Sequence, residues 1–146
     1  MVKRKSVFRL APIGFVKRDE VIVKKKWSRA LDGIEEFSHL IVVTWLDRAK
    51  PPEMKIHPKG SVELPKIGYL ATRTQHRTNP IGVTVAKLRR RKGLRLELEG
   101  LDIWDGTPVI DLKPYTRRES VKNFKIPAWV KRWDKKETDP LRRYAS

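Results

Sequence analysis

The stretch "LRLELEGLDIWDGTPVIDLKPY", Leu94–Tyr115, carries the pattern that decides the fold. Leu94, Leu96 and Leu98 alternate with Arg95, Glu97 and Glu99. Successive side chains of a strand point to opposite faces, so this alternation predicts a half-buried antiparallel strand within Leu94–Trp104. "DGTP", Asp105–Pro108, follows; Asp-Gly tolerates the positive φ of a tight hairpin, so a turn is expected there. Val109–Tyr115 then reads as the returning strand. On it Asp111, Lys113 and Tyr115 stand at i, i+2 and i+4, hence on one face, with Ile110 and Leu112 on the other. The three form either a surface ladder or the lining of a polar pocket holding a carboxylate, an ammonium and a phenol. Pro114, with no N–H, fixes the strand end.

Upstream, "HLIVVTWL" (His39–Leu46) is continuously apolar and β-branched, which predicts a strand buried on both faces. "PIGVTVAKL" (Pro80–Leu88) reads as another strand, followed by "RRRKG" (Arg89–Gly93) as a basic turn. Val7–Val16 reads as a strand interrupted by Pro12 and Gly14, and Val21–Val23 and Ile67–Thr72 as short strands. Trp27, Leu31 and Ile34 have helical spacing, weakened by Gly33. Asp47–Pro65 reads as a loop. Many short strands between turns predict a mainly β protein, a small antiparallel β-barrel with short helices, because closure leaves no edge strand. One domain over 1–146 is expected, with its core at about 7–118 and a basic C-terminal extension at 119–146. Within that extension "IPAWVKRW" is a short amphipathic piece, and "DKKETDPLRRYAS" is expected to fray.

Composition narrows the partner. Lys and Arg number 34 against 17 Asp and Glu, a formal net charge of +17. Such a surface attracts a polyanion, nucleic acid first and an anionic membrane second. No cysteine is present, so disulfides and thiolate metal sites are excluded. His39, His57 and His76 match no zinc spacing. The sequence has no G-x-G-x-x-G, no P-loop and no G-x-S-x-G, which removes the common nucleotide folds and hydrolases. No apolar run reaches signal or membrane-span length, so a cytoplasmic protein is expected.

"ATRTQHRTNPIG", Ala71–Gly82, is dense in recognition groups: Arg73, His76, Arg77 and Asn79 fall within seven residues. It is either a solvated basic loop or a ligand loop. A guanidinium forks onto carboxylate or phosphate, and Asn79 before Pro80 is pushed towards extended backbone. "EEFSHL" (Glu35–Leu40) reads as structural. The basic runs Lys24–Lys26 and Arg89–Lys92 are expected to meet phosphates. The five tryptophans, Trp27, Trp45, Trp104, Trp129 and Trp133, read as core rather than as stacking platforms, with stacking of one on a base left open.

Taken together, "EEFSHL", "ATRTQHRTNPIGVTVAKL" and "GLDIWDGTPVIDLKPY" resemble, in order and approximate spacing, the TsaA-like family, also called TrmO, of tRNA adenosine-37 methyltransferases. The resemblance covers about residues 10 to 118. It implies a small β-barrel, a homodimer, S-adenosyl-L-methionine as cofactor, and methyl transfer to the exocyclic N6 amine of threonylcarbamoyl-adenosine in the anticodon loop of tRNA. It places cofactor contacts on Asp47, Arg48, Arg73, Val83, Asp105, Gly106, Thr107 and Pro108. It links activity to Arg77, Asn79, Asp111, Lys113 and Tyr115. The chemistry of these side chains makes Asp111 the candidate proton acceptor, with Tyr115 as candidate to orient the amine and Lys113 to pair with Asp111 or bind the substrate's carboxylate. The family's Pro-Arg-Gln segment is replaced here by "KRDEVIVKKKW". Two other readings stay open: a non-catalytic RNA-binding barrel, and a methyltransferase with another substrate.

Overall fold

The computed structural model describes residues 6–137; parts of the predicted C-terminal fray lie outside them. Among the described residues eight strands are present: β1 (Gly14–Lys17), β2 (Glu20–Val23), β3 (His39–Trp45), β4 (Lys55–Ile56), β5 (Ile67–Gly68), β6 (Ile81–Lys92), β7 (Arg95–Glu99) and β8 (Pro108–Pro114). Short 3-10 turns bridge them, and one helix, α1 (Ala128–Glu137), follows. Six strands close into a barrel in the order β1-β2-β7-β6-β3-β8, every pair antiparallel. β4 and β5 form a separate two-stranded ladder inside the span read as a loop and a short strand.

The inward face follows the alternation. Leu96 and Leu98 of β7, Leu40 and Val42 of β3, Val16, Val21, Val23, Ala86 and Val109 are all buried. Leu31 and Leu101, from the connections, complete the cluster. Each Leu or Val among them contributes roughly 1.5–3 kcal/mol relative to exposure. The bore is narrow, and small residues make room for large ones. Gly82 faces buried Thr44, and a Cβ on Gly82 would come within 2.5 Å of Thr44 Oγ1.

Several expectations are corrected. β8 does not return along β7; it pairs with β1 and β3, while β7 pairs with β2 and β6. Residues 100–107 form a crossing instead of a hairpin, with Leu101 and Thr107 buried. The strand read through Trp104 stops at Glu99, because Gly100 turns the chain at φ 86°. "RRRK" is strand, not turn: β6 runs to Lys92, and Gly93 (φ 59°) makes the tight turn. β3 is buried on one face only; Leu40, Val42 and Thr44 point in, while Ile41, Val43 and Trp45 are half-buried outside. A bulge between Val43 and Thr44 against β8 puts Ile110 beside Trp45 in an outer hollow, rather than on the inner face with Leu112. The helical spacing at Trp27–Ile34 yields two 3-10 turns, separated by Gly33 at φ 89°. Val7–Val16 contributes strand only from Gly14.

Four of the five tryptophans are not core residues either. Trp104 is 62% exposed and Trp27 37%, and Trp45 and Trp129 are half-buried. A six-stranded bore filled by Val and Leu has no room for an indole. The side chain of Trp133 lies outside the described residues.

Gly14 tests the closure of the barrel. It sits between Val23 of β2 and Val109 of β8, and a Cβ there would fall on the backbone carbonyl oxygen of Ile22. Backbone cannot rotate away as a side chain can. Gly14→Ala is expected to destabilise the protein by about 3 kcal/mol, read as a lowered urea midpoint. Wild-type stability in this variant would show that the strands are not so closely apposed.

Candidate active site

At one end of the barrel β1 turns into β2, β3 leaves, and β6 and β8 enter. Hydrogen bonds tie these connections together. The Arg18 N–H donates to Asp105 Oδ1 at 2.6 Å. The Arg48 guanidinium donates to the Asp105 carbonyl at 2.9 Å and lies 5.3 Å from the centroid of the Trp104 ring. The Gly106 N–H donates to the Val16 carbonyl at 2.7 Å, and the Leu46 N–H to that of Pro80 at 2.7 Å. Lys50 N–H donates to His76 Nδ1 at 2.9 Å, linking the chain after β3 to the 71–82 loop.

These bonds separate positioning groups from exposed ones. Thr107 turns both its N–H and its hydroxyl to the Trp104 carbonyl, at 3.2 and 2.7 Å, and is buried. Gly106 takes φ 83°, a conformation that favours glycine. Asp105 is engaged through its carboxylate and its carbonyl, so it holds the turn together. Asp47 is exposed and makes no ion pair among the described residues. Pro108 lines an apolar hollow of about 240 Å³ with Phe8, Leu10, Pro12, Trp45 and Ile110.

The 71–82 loop is built around Arg77. Its Nη1 donates to the carbonyls of Thr72 (2.7 Å), Thr74 (3.2 Å) and Tyr69 (3.4 Å). Its guanidinium lies 5.6 Å from the Tyr69 ring centroid, and the Tyr69 hydroxyl meets Thr78 Oγ1 at 2.6 Å. Arg77 therefore shapes the loop. Arg73 donates to the Val83 carbonyl at 3.3 Å and ties the loop to β6. Asn79 is exposed, and its carbonyl accepts the Ile81 N–H at 2.7 Å.

The remaining predicted residues climb β8. Asp111 pairs with Val43 and Lys113 with Ile41 on β3. Lys113 Nζ lies 2.8 Å from Asp111 Oδ2, and the Leu112 N–H donates to Asp111 Oδ1 at 2.9 Å. The Asp111 carboxylate holds the Lys113 ammonium above its ordinary pKa, first by this hydrogen bond and then by charge. Tyr115 stands edge-on to His39, ring centroids 6.3 Å apart, and its N–H bonds the His39 carbonyl. Pro108 to Tyr115 spans about 23 Å at strand rise. The predicted residues thus form a strip from the barrel end up one outer face. Beside it Ile81, Val83 and Val85 of β6 are 39%, 50% and 50% exposed.

Three contributors escape a reading of the sequence: Arg18, His76 as an acceptor, and the exposed Trp104. Arg18 takes φ 55° in a two-residue turn where glycine is favoured, at a cost of about 1–2 kcal/mol, and "KRDE" carries no glycine to mark it. Trp104 has a visible signal, its place directly before Asp-Gly. In the Arg89–Lys92 run, Arg89 pairs with Glu99, Arg90 with Glu97 at 2.7 Å, and Arg91 with Glu35 at 3.3 Å. Two of these carboxylates stand across the sheet on β7, and Glu35 comes from the turn before β3. A cleft of about 650 Å³ beside the β1–β2 turn is likewise crossed by the Arg89–Glu99 and Arg95–Glu20 pairs. Among the described residues no His, Asp and Glu group could hold a metal ion, and no helix is long and apolar enough to cross a membrane.

Comparison with known proteins places this geometry. Residues 5–119 match the family described as "tRNA-methyltransferase O N-terminal domain". An Archaeoglobus fulgidus protein named "Probable S-adenosyl-L-methionine-binding protein" is 43% identical over 108 residues, covering 73% of this chain and 29% of that protein. A second Archaeoglobus fulgidus protein, named "S-adenosyl-L-methionine-binding protein", is 35% identical over 97 residues, 66% of this chain and 68% of that one. The crystal structure of TrmO from Pseudomonas aeruginosa superposes with a TM-score of 0.65 at 26% identity, over 82% of this chain and 61% of that chain. The chain thus spans under a third of the first of these relatives and about three fifths of the crystallised one. With more than three quarters of its length matched, the chain belongs to the family of the tRNA-methyltransferase O N-terminal domain.

Proposed function

We propose that the protein is an S-adenosyl-L-methionine-dependent tRNA methyltransferase that modifies the exocyclic N6 amine of threonylcarbamoyl-adenosine at tRNA position 37. The observation that carries this reading is the joining of an exposed aromatic face, Trp104 under the Arg48 guanidinium, to a charged strip led by Asp111 and Lys113. Family membership and the names of the relatives support it.

The residues present fit the cofactor. Trp104 offers a face to a purine, the Pro108 hollow is apolar, the Arg48 and Arg73 guanidiniums suit a carboxylate, and the Asp47 carboxylate suits an ammonium. When bound, the cofactor supplies a methyl group on a good leaving centre, so the protein's task is positioning. An adenine amine is a poor nucleophile and must lose a proton, and Asp111 is the group that takes it. Lys113 now occupies one Asp111 oxygen. A substrate carboxylate that draws the ammonium away frees that oxygen to accept the proton, which couples substrate recognition to proton removal. Tyr115, at the far end of the strip, orients the base.

The second partner is another copy of the chain. The exposed Ile81, Val83 and Val85 continue across to Ile41 and Val43, an apolar face with the Asp111–Lys113 pair at its border. A second copy on this face shields the strip from water.

Two measurements follow. Incubation with methyl-labelled cofactor and tRNA, read by nucleoside mass spectrometry, is expected to place the label on N6 of threonylcarbamoyl-adenosine, and Asp111→Asn to lower turnover about 100-fold or more. Full turnover in Asp111→Asn removes Asp111 as acceptor; bound cofactor and bound tRNA without transfer favour a binding barrel. Sedimentation is expected to give a dimer that Val83→Asp with Val85→Asp converts to monomer; a monomeric wild type contradicts the interface.

A further inference from the structure

The +17 charge is unevenly available. In the β6–β7 hairpin Arg89, Arg90, Arg91 and Arg95 each face a carboxylate, from Glu99, Glu97, Glu35 and Glu20. Beyond β8 the balance differs. Residues 116–132 hold Arg117, Arg118, Lys122, Lys125, Lys131 and Arg132, all exposed and none in an ion pair among the described residues. The one acidic residue within 116–132 is Glu119, and its carboxylate accepts the Thr116 N–H at 2.9 Å and the Thr116 hydroxyl at 2.8 Å. That capping box fixes the start of the segment, directly after Tyr115, whose N–H is anchored on β3. Phe124 is 69% exposed in the middle of the run.

From this contrast we infer that residues 116–132 are the surface that grips the RNA backbone, and that the arginine-rich hairpin is not. The inference rests on the tRNA reading above. It also goes beyond the family match, which ends at residue 119. A cation held by a carboxylate displaces no counterion from a phosphate without first losing its partner; an unpartnered one does. The segment continues from the strand that carries Asp111, Lys113 and Tyr115, so phosphates held there lead towards the strip. Phe124 supplies a face on which an unpaired base stacks. RNA fits better than a bilayer. Trp129 and Val130 of α1 are half-buried, and the exposed Val121 and Phe124 lie among cations. Among the described side chains of this segment no continuous apolar face is presented for insertion.

The test is the salt dependence of binding to an unmodified tRNA transcript, measured with the full chain by fluorescence polarisation. Replacing Arg117, Arg118, Lys122 and Lys125 by Gln is expected to flatten the slope of log K against log salt by about 3 and to weaken binding about tenfold or more. Replacing only the two arginines, Arg117→Lys and Arg118→Lys, so that all four positions stay cationic, should preserve the wild-type slope, because a phosphate contact needs only the charge. Arg89→Gln with Arg90→Gln should change the slope by less than about 0.5. If the four-Gln protein keeps the wild-type slope, or the hairpin variant loses it, the segment is not the grip and the methyltransferase reading stands. If wild type ignores tRNA but binds phosphatidylserine vesicles through these residues, the RNA reading fails and this inference with it.

Discussion

The seam between β1 and β8 is the narrowest joint in the barrel. Only two residue pairs, Gly14 with Val109 and Phe15 with Pro108, join the strands. The chain on either side completes it: Ile13 N–H to the Val109 carbonyl at 2.8 Å, Val16 N–H to that of Thr107 at 3.0 Å, and Gly106 N–H to that of Val16 at 2.7 Å. The Asp105 carboxylate then closes on the Arg18 N–H. Closure of the barrel and assembly of the candidate site are therefore one event. Asp105–Pro108 finishes the sheet, and the same residues position Arg48 and Trp104 at its end.

This economy explains how a family motif can carry two duties. Asp-Gly-Thr-Pro is polar, yet in this structure Asp105 and Thr107 are consumed by bonds within the fold. Arg77 does the same for the 71–82 loop, meeting three carbonyls with one nitrogen. The groups left facing outward are fewer: Asp47, the Arg48 guanidinium against Trp104, Asn79, and the Asp111–Lys113 pair. Buried or bonded polar groups hold their places because an unmet hydrogen bond costs roughly 1–3 kcal/mol. That rigidity keeps the exposed groups in register.

Much of this was legible beforehand, and the failures have physical causes. Leu94–Leu98 showed its inward face because a half-buried strand alternates with period two. The family motifs located the strip and the barrel end. The strand order could not be read, because Asp-Gly permits a hairpin without requiring one, and the choice was made by Val109 and Leu112 finding β1 and β3. Arg89–Lys92 looked like a turn because nothing local shows the carboxylates of Glu97 and Glu99 waiting across the sheet. Trp104 looked like core because its size suggests burial, yet the bore it would enter is already filled.

The central claim is that the barrel end binds S-adenosyl-L-methionine, and calorimetric titration of wild type, Arg73→Ala and Trp104→Ala tests it most directly. The account predicts saturable binding with wild type. It predicts a loss of about tenfold or more for Trp104→Ala, in keeping with about 1.4 kcal/mol or more from an aromatic face on the cofactor. Arg73→Ala is expected to weaken binding as well, since it removes a guanidinium and loosens the loop from β6. Undiminished affinity in both variants would contradict the placement of the cofactor, and no binding by wild type would contradict the account itself.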